Sequence, residues 1–142
     1  MTTVDRILAV DYGVKRIGLA LSDTLGITAQ EFDTINVLKK DEHFLRIKEI
    51  VEKEKVKKIL IGMPLNMNGS KGERAREVEK FIEKLKRYVN IPVIMKDERL
   101  TSVEAKKIMV SLGQKTGKNK EKIDRLAAVL LLETYLESIS NK

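Results

Sequence analysis

The chain has 142 residues, 42% of them hydrophobic and 35% charged, which predicts one soluble globular domain over residues 1–142 rather than a disordered chain. It contains no cysteine, so disulfides, zinc fingers and thiol chemistry are excluded. There are 28 lysines and arginines against 21 aspartates and glutamates, and the resulting net charge of +7 favours polyanionic partners such as nucleic acids.

The first part of the chain predicts three β-strands joined by short connections. An apolar run at 7–10 ends in Asp11 and is followed by a turn containing glycine. Residues 17–22 make a second run, and residues 32–37 alternate in the manner of an edge strand. Connections this short predict antiparallel hairpins.

Later segments carry apolar residues at a helical period, which predicts amphipathic helices. The periodic residues are Phe44, Ile47 and Val51; then Val78, Phe81, Ile82, Leu85 and Val89; then Ala105, Ile108, Met109 and Leu112; and finally Leu126, Ala127, Leu130 and Leu131. We predict capping boxes at Ser70 with Glu73 and at Thr101 with Glu104. His43 stands in the first of these helices, where we interpret it as a surface residue.

A short apolar run at 59–62 predicts a buried strand, and a second run at 91–95 predicts the next strand, with its proline at the start. The basic, glycine-containing segment 113–122 is predicted to be a loop, with the last helix running from about 123 to 138. The resulting order βββαβαβα predicts an α/β fold with a mixed five-stranded sheet flanked by helices. No apolar stretch reaches the ~20 residues of a membrane span, and no signal peptide opens the chain, so we expect a cytoplasmic protein with no membrane partner.

Three carboxylates stand at unusual positions relative to these elements. Asp11 closes the first strand, Glu98 follows the fifth, and Asp124 lies in the first turn of the last helix. Sheets of this class bind their ligands at strand ends, so the three would converge if the first and fifth strands are close together. Carboxylate oxygens suit Mg²⁺ or Mn²⁺ rather than zinc, and two such ions can promote phosphodiester hydrolysis.

Each carboxylate also has a structural interpretation. Asp11 could cap the hairpin turn that follows it, because an aspartate two residues before a glycine is common in turns. Glu98 could pair on the surface with Lys96 or Arg99. Asp124 could be an acid near a helix amino terminus, stabilised by the helix dipole.

Several basic residues lie next to the candidate ligands. Lys15 and Arg16 follow Asp11 in the hairpin turn, and Arg99 follows Glu98 directly. We predict that these three residues contact nucleic-acid phosphates. The segment before Asp124 is also rich in lysine, and a solvated surface is an equally good interpretation of it; its lysines are Lys115, Lys118, Lys120 and Lys122.

Four segments of the chain resemble the YqgF/RuvX family, a branch of the ribonuclease-H-like, RuvC-like resolvase superfamily. The matching segments are LAVDYGVKRIGLALSD, IGMPLNMNGSKGERA, VIMKDERLTSVEA and KIDRLAAVLLLETYL. The resemblance implies a ribonuclease-H-like nuclease domain with Asp11, Glu98 and Asp124 as catalytic residues that bind Mg²⁺ or Mn²⁺. It also implies a nuclease that matures the 5′ end of pre-16S rRNA, with structured RNA and ribosome-assembly intermediates as partners.

The chain departs from the wider superfamily at one position. RuvC-like resolvases carry their second acid at the end of the fourth strand, where this chain has Gly62, Met63 and Pro64. Glu98, after the following strand, would therefore have to substitute for it.

Two other functions remain open at this stage. A resolvase that cuts four-way DNA junctions would use the same carboxylates, and a non-catalytic nucleic-acid-binding factor would use the same basic surface. No reader of the RNA 2′-hydroxyl is identifiable, so RNA and branched DNA are both possible substrates. The sequence does not distinguish a monomer from a dimer either.

Overall fold

The computed structural model describes residues 5–37, 40–97, 107 and 120–140. These residues form β1 (Arg6–Tyr12), β2 (Arg16–Ser22), β3 (Ala29–Asn36), α1 (Glu42–Lys53), β4 (Val56–Met63), α2 (Glu73–Leu85), β5 (Val93–Asp97) and α3 (Lys120–Ser140). The strands make one sheet in the order β3-β2-β1-β4-β5. The β1–β2 and β2–β3 pairs are antiparallel, whereas β4 runs parallel to both β1 and β5. The predicted mixed five-stranded α/β fold is confirmed.

The centre of the sheet is covered on both faces, which is why its strands are apolar without interruption. Leu8 and Val10 of β1 face a core formed with α1 and α2, while Ile7 and Ala9 face a second core formed with α3. Successive side chains of a strand point to opposite faces, so this alternation also sets the direction of the residues that follow. Asp11 therefore belongs to the α3 face and Tyr12 to the α1–α2 face.

The strand order decides where the predicted site can form. β1 and β5 are not neighbours, because β4 lies between them and pairs with both. The carboxyl ends of these three parallel strands lie at one edge of the sheet, where Met63 stands opposite Asp97. Two strand spacings separate β1 from β5 at that edge, or roughly 10 Å.

The second helix does not begin as predicted. The residue before α2 is Gly72, and it makes no side-chain capping hydrogen bond. Ser70 instead binds within the preceding loop, where its backbone N–H and its hydroxyl both donate to Asn68 Oδ1, at 2.9 and 2.6 Å. The prediction of a capping box at Ser70 and Glu73 is therefore wrong, because Glu73 is the first residue of α2 rather than the third, and Ser70 lies two residues before the cap position.

The boundaries of several other elements also differ from the prediction: β4 covers 56–63 rather than 59–62, β5 covers 93–97 rather than 91–95, and α2 ends at Leu85, before the predicted Val89. β3 begins at Ala29 rather than at residue 32, because its ladder with β2 continues until Ala29 stands opposite Ser22. α3 begins at Lys120, so Lys120 and Lys122 are helical and Asp124 lies in the second turn rather than the first. The predicted capping box at Thr101 and Glu104, the helical segment at 105–112 except for residue 107, and the loop segment 113–119 lie outside the described residues.

His43 is buried, which contradicts the prediction of a surface position. Only 7% of its surface is exposed, and its ring lies 4.4 Å from the ring of Phe44. Burial lowers the pKa of the imidazole, although the nearby charge of Asp41 opposes this effect. The helical period of α1 correctly placed Phe44, Ile47 and Val51 in the core, but it did not extend the buried face to His43.

α3 has 21 residues, and it alternates charged and apolar stretches. Within the described ranges, no helix is long and apolar enough to cross a membrane.

Ser22 is a buried polar residue that connects β2 to the start of β1. Its hydroxyl accepts a hydrogen bond of 2.8 Å from the backbone N–H of Ile7, and its carbonyl accepts one of 3.1 Å from Arg6 Nε. The parallel register between β1 and β4 shifts at Arg6 and Ile7. The hydroxyl therefore satisfies a backbone donor at an irregular point of the ladder.

Replacing Ser22 with alanine should leave that buried N–H without its partner and lower the free energy of unfolding by about 1–3 kcal/mol. Urea denaturation measures the change. Ser138→Ala is the matched control, because the Ser138 hydroxyl donates to the Tyr135 carbonyl on an exposed part of α3. Equal stability losses in the two variants would contradict the role assigned to Ser22.

Candidate active site at the carboxyl ends of β1 and β4

A cleft of about 690 Å³ opens at the sheet edge where β1 and β4 end. Its walls come from the β1–β2 hairpin, the segment after β4, the first turn of α2 and the first turns of α3. The polar side chains on which its chemistry depends are Asp11, Lys15, Arg16, Asn66, Arg74 and Asp124.

Gly18 brings α3 against the sheet beside Asp11. It stands directly opposite Asp11 in the β1–β2 ladder. A Cβ atom built on Gly18 would lie 2.1 Å from the backbone oxygen of Asp124, a distance that no real side chain can occupy. The missing side chain thus allows the backbone of α3 to lie on β2 at this point, so that Asp124 enters the same cleft as Asp11.

Asp124 forms an ion pair with Arg16 across the cleft. Arg16 Nε donates to Asp124 Oδ2 at 2.8 Å, and the two side chains are 27% and 21% exposed. Burial raises the pKa of the Asp124 carboxyl above its ordinary value, and the hydrogen bond and charge of Arg16 oppose that effect only in part. A further cation beside this partly desolvated carboxylate would favour its ionised form.

Polar contacts with β3 hold the first turns of α3 in place. Glu31 accepts hydrogen bonds from Lys122 Nζ at 3.1 Å and from Arg125 Nε at 3.0 Å. The Thr34 hydroxyl donates to the carbonyl of Glu121 at 2.8 Å. Burial tends to raise the pKa of Glu31, but the hydrogen bonds from Arg125 and Lys122 outweigh it and lower the pKa overall. These contacts fix the depth at which Asp124 enters the cleft.

The opposite wall is formed by the segment between β4 and α2. A Cβ on Gly72 would lie 2.9 Å from Asn66 Oδ1, so the start of α2 and this loop are closely packed. Arg74, in the first turn of α2, donates from Nη2 to the Tyr12 carbonyl at 3.2 Å. Arg74 and Asn66 were not singled out from the sequence, although both lie in a segment that carries the family resemblance.

Four of the six predicted site residues line this one cleft: Asp11, Lys15, Arg16 and Asp124. Glu98 and Arg99 lie outside the described residues and follow Asp97, the last residue of β5. Within the described ranges, no three histidine, cysteine or acidic side chains are grouped closely enough to hold a metal ion. Asp11 and Asp124 offer carboxylate oxygens, the donors that Mg²⁺ and Mn²⁺ prefer, and the donor chemistry therefore fits a hard divalent cation.

Residues 5–138 match a protein-family model described as "RuvX: Holliday junction resolvase". Several relatives with the name "Putative pre-16S rRNA nuclease" are similar over almost their whole length. The protein of Thermoanaerobacter pseudethanolicus is 44% identical, over 96% of this chain and 99% of its own. That of Endomicrobium trichonymphae is 41% identical, over 98% of this chain and 100% of its own.

Solved structures show the same fold at much lower sequence identity. RuvC of T. thermophilus in complex with a Holliday junction substrate superposes with a TM-score of 0.58 at 15% identity, covering 95% of this chain and 96% of that one. The Fowlpox virus resolvase with its Holliday junction DNA has a TM-score of 0.57 at 14% identity, covering 94% of this chain and 98% of that one. The sheet and its flanking helices therefore have the ribonuclease-H-like architecture of RuvC.

Proposed function

The chain belongs to the RuvX family, and from that premise we propose that it is a nuclease that uses Mg²⁺ or Mn²⁺ to hydrolyse phosphodiester bonds in RNA. The observation that carries the proposal is the meeting of Asp11 and Asp124 in one cleft that also contains Lys15, Arg16 and Arg74. Carboxylates suit a divalent cation, and the cations around them suit a phosphate backbone.

Asp11 and Asp124 would hold the metal, with Glu98 as the third ligand. Mg²⁺ or Mn²⁺ bound there would supply a water of lowered pKa and a positive charge near the leaving oxygen. In the hydrolysis, the oxygen of the attacking water would form a bond to phosphorus and lose a proton, the ester P–O bond would break, and the leaving oxygen would take up a proton. The protein's part is to hold its carboxylates ionised and close together, so that the charge is in place before the substrate binds.

The basic residues would orient the substrate. The side chain of Lys15 is exposed at the rim of the cleft, whereas Arg16 lies deeper, against Asp124. Arg74 lines the cleft and donates one hydrogen bond to the Tyr12 carbonyl, so its other donors would be available to a phosphate. Together with Arg99, which follows β5, these residues would hold phosphates on either side of the scissile bond.

We propose that the substrate is the 5′ end of pre-16S rRNA, cleaved in the cytoplasm within ribosome-assembly intermediates. Support comes from the relatives, which are more than 40% identical over nearly the full chain and have that substrate in their names. The net charge of +7 suits a partner as anionic as an assembling ribosomal subunit.

A four-way DNA junction is the second candidate substrate. The description of the family model favours it, and so do the two structural relatives that were solved with Holliday junctions. Cutting such a junction symmetrically needs two active sites, so this candidate also requires a second copy of the chain.

The proposal is tested by incubating the protein and Mn²⁺ with two labelled substrates, a mimic of the pre-16S rRNA 5′ end and a four-way DNA junction. We expect cleavage of the RNA. Cleavage of the junction alone would overturn the RNA assignment and favour the resolvase.

Thermal unfolding with and without millimolar Mn²⁺ separates both nucleases from a non-catalytic binding factor. Binding of the metal to the folded state should raise the melting temperature. An unchanged melting temperature, together with salt-dependent binding of uncut RNA, would favour the binding factor.

A further inference from the structure

A second groove, of about 470 Å³, lies beside the cleft on the other side of the β1–β2 hairpin. Tyr12 and Val14 line both cavities, so the groove continues directly from the candidate active site. Its other walls come from the first turn of α1 and from the middle of α2. We name it the lysine groove after Lys40, Lys80 and Lys84, which line it.

The lysine groove contains more positive charge than its own carboxylates neutralise. Asp41 accepts a hydrogen bond of 2.6 Å from the Tyr88 hydroxyl and pairs with Lys84 at 3.4 Å. Glu77 is the other carboxylate in its lining. Lys40 and Lys80 are exposed and have no ion-pair partner within the described ranges. These two ammonium groups are thus available to an anion.

α2 connects the two cavities. Its first turn, with Arg74, lines the cleft, while Lys80 and Lys84 line the lysine groove further along the same helix. At a rise of 1.5 Å per residue, Lys80 lies about 9 Å and Lys84 about 15 Å beyond Arg74 along the helix axis. The basic side chains therefore extend away from the candidate active site over the length of a few nucleotides.

The rim of the lysine groove suits a nucleotide rather than a small anion alone. Val14 is 57% exposed at its rim, where it offers an apolar surface to a base or a sugar.

We propose that the lysine groove binds the single-stranded segment of the substrate that flanks the scissile phosphate, with Lys40 and Lys80 contacting its backbone. This inference rests on the proposed function, because the strand in the groove is part of a substrate whose scissile phosphate would lie in the adjoining cleft. The proposal adds a binding site outside the catalytic residues. It also gives the direction in which the bound strand extends away from them.

The test measures binding of labelled single-stranded RNAs of about 6 and about 14 nucleotides, lengths that span known single-strand site sizes. The protein carries Asp11→Asn so that the RNA stays intact. Adding Lys40→Glu and Lys80→Glu together should raise the Kd for the longer RNA about tenfold or more. It should also lower the slope of log K against log salt by about 1.4, or about 0.7 for each lost phosphate contact. Without the two substitutions in the groove, the longer RNA should bind more tightly than the shorter one. With them, the two RNAs should bind with similar affinity.

The matched control is the double variant Lys53→Glu and Lys57→Glu. It changes the net charge by the same amount as the groove variant, and it does so near the start of β4, at the end of that strand remote from the cleft. An equal loss of affinity in this control, or wild-type affinity in the groove variant, would overturn the proposal.

The nuclease proposal and the groove proposal fail separately. If the wild-type protein binds RNA through the groove but cleaves nothing in Mn²⁺, the nuclease assignment fails and the groove stands. If cleavage occurs and the groove variant binds normally, only the groove fails.

Discussion

Replacing Asp11 with asparagine is expected to lower the rate of Mn²⁺-dependent cleavage about 10³-fold while RNA binding stays nearly intact. The substitution keeps the size of the side chain and removes its negative charge. Metal catalysis supplies several kcal/mol of transition-state stabilisation, and each 1.36 kcal/mol is a tenfold change in rate. Single-turnover cleavage of saturating RNA measures the effect on the chemical step, and anisotropy measures the affinity.

Asp23→Asn is the control for this experiment. Asp23 caps the turn after β2, where its Oδ1 accepts from the Ile27 N–H at 2.8 Å, and an asparagine oxygen can accept the same bond. The turn lies at the edge of the sheet opposite the cleft. Cleavage by Asp11→Asn at the rate of the Asp23→Asn control would rule out Asp11 as a metal ligand and return it to a structural role in the hairpin.

Replacing Gly18 with alanine is expected to remove both the Mn²⁺-induced rise in melting temperature and the cleavage activity. The new Cβ would lie 2.1 Å from the Asp124 carbonyl oxygen and 2.8 Å from its Cβ, so α3 must move away from β2. Overpacking of this kind costs about 1–3 kcal/mol of stability, and here it also separates Asp124 from Asp11. Thermal unfolding with and without Mn²⁺ reports both effects at once.

Ser22→Ala distinguishes loss of the site from simple loss of stability. Ser22 lies in the same strand as Gly18 but far from the cleft, and its replacement should destabilise the protein by a similar amount. We expect this variant to keep its stabilisation by Mn²⁺. If Gly18→Ala also kept it, the proposed metal site would not depend on the close approach of α3 at Gly18.

Arg16 has two roles in the proposed mechanism: it pairs with Asp124, and it would bind a substrate phosphate. The two roles compete for the same guanidinium group. Without substrate its guanidinium pairs with Asp124, and this compensates in part for the burial of that carboxylate. Arginine can serve carboxylate and phosphate alike, because its planar group offers several donors at once. An incoming phosphate would therefore meet a cation that is already positioned at the carboxylates.

Local patterns of the sequence were enough for most of the secondary structure. The apolar run before Asp11 predicts a buried strand, and β1 is such a strand, with Leu8, Ala9 and Val10 fully buried. The helical period of Val78, Phe81 and Leu85 predicts the buried face of α2. These predictions succeed because side-chain direction repeats every two residues in a strand and every 3.6 in a helix, which requires no knowledge of distant contacts.

Short-range reasoning failed where a neighbour distant in sequence, or the position at which a helix begins, decided the outcome. Ser70 binds Asn68 instead of capping α2, and His43 is buried in a helix whose pattern left it at the surface. The catalytic roles of Asp11, Glu98 and Asp124 stay predictions that the experiments above address.

The sequence by itself determined which of the described segments are strands and which are helices, the candidate carboxylates and, through its motifs, the family. Only the tertiary structure decided that β4 lies between β1 and β5, that α3 crosses β2 at Gly18, and that Arg16 pairs with Asp124. Arg16 and Asp124 are 108 residues apart in the chain. Periodicity specifies which face of an element is apolar, but it does not specify which other element covers that face, and the contacts across the cleft depend on that choice.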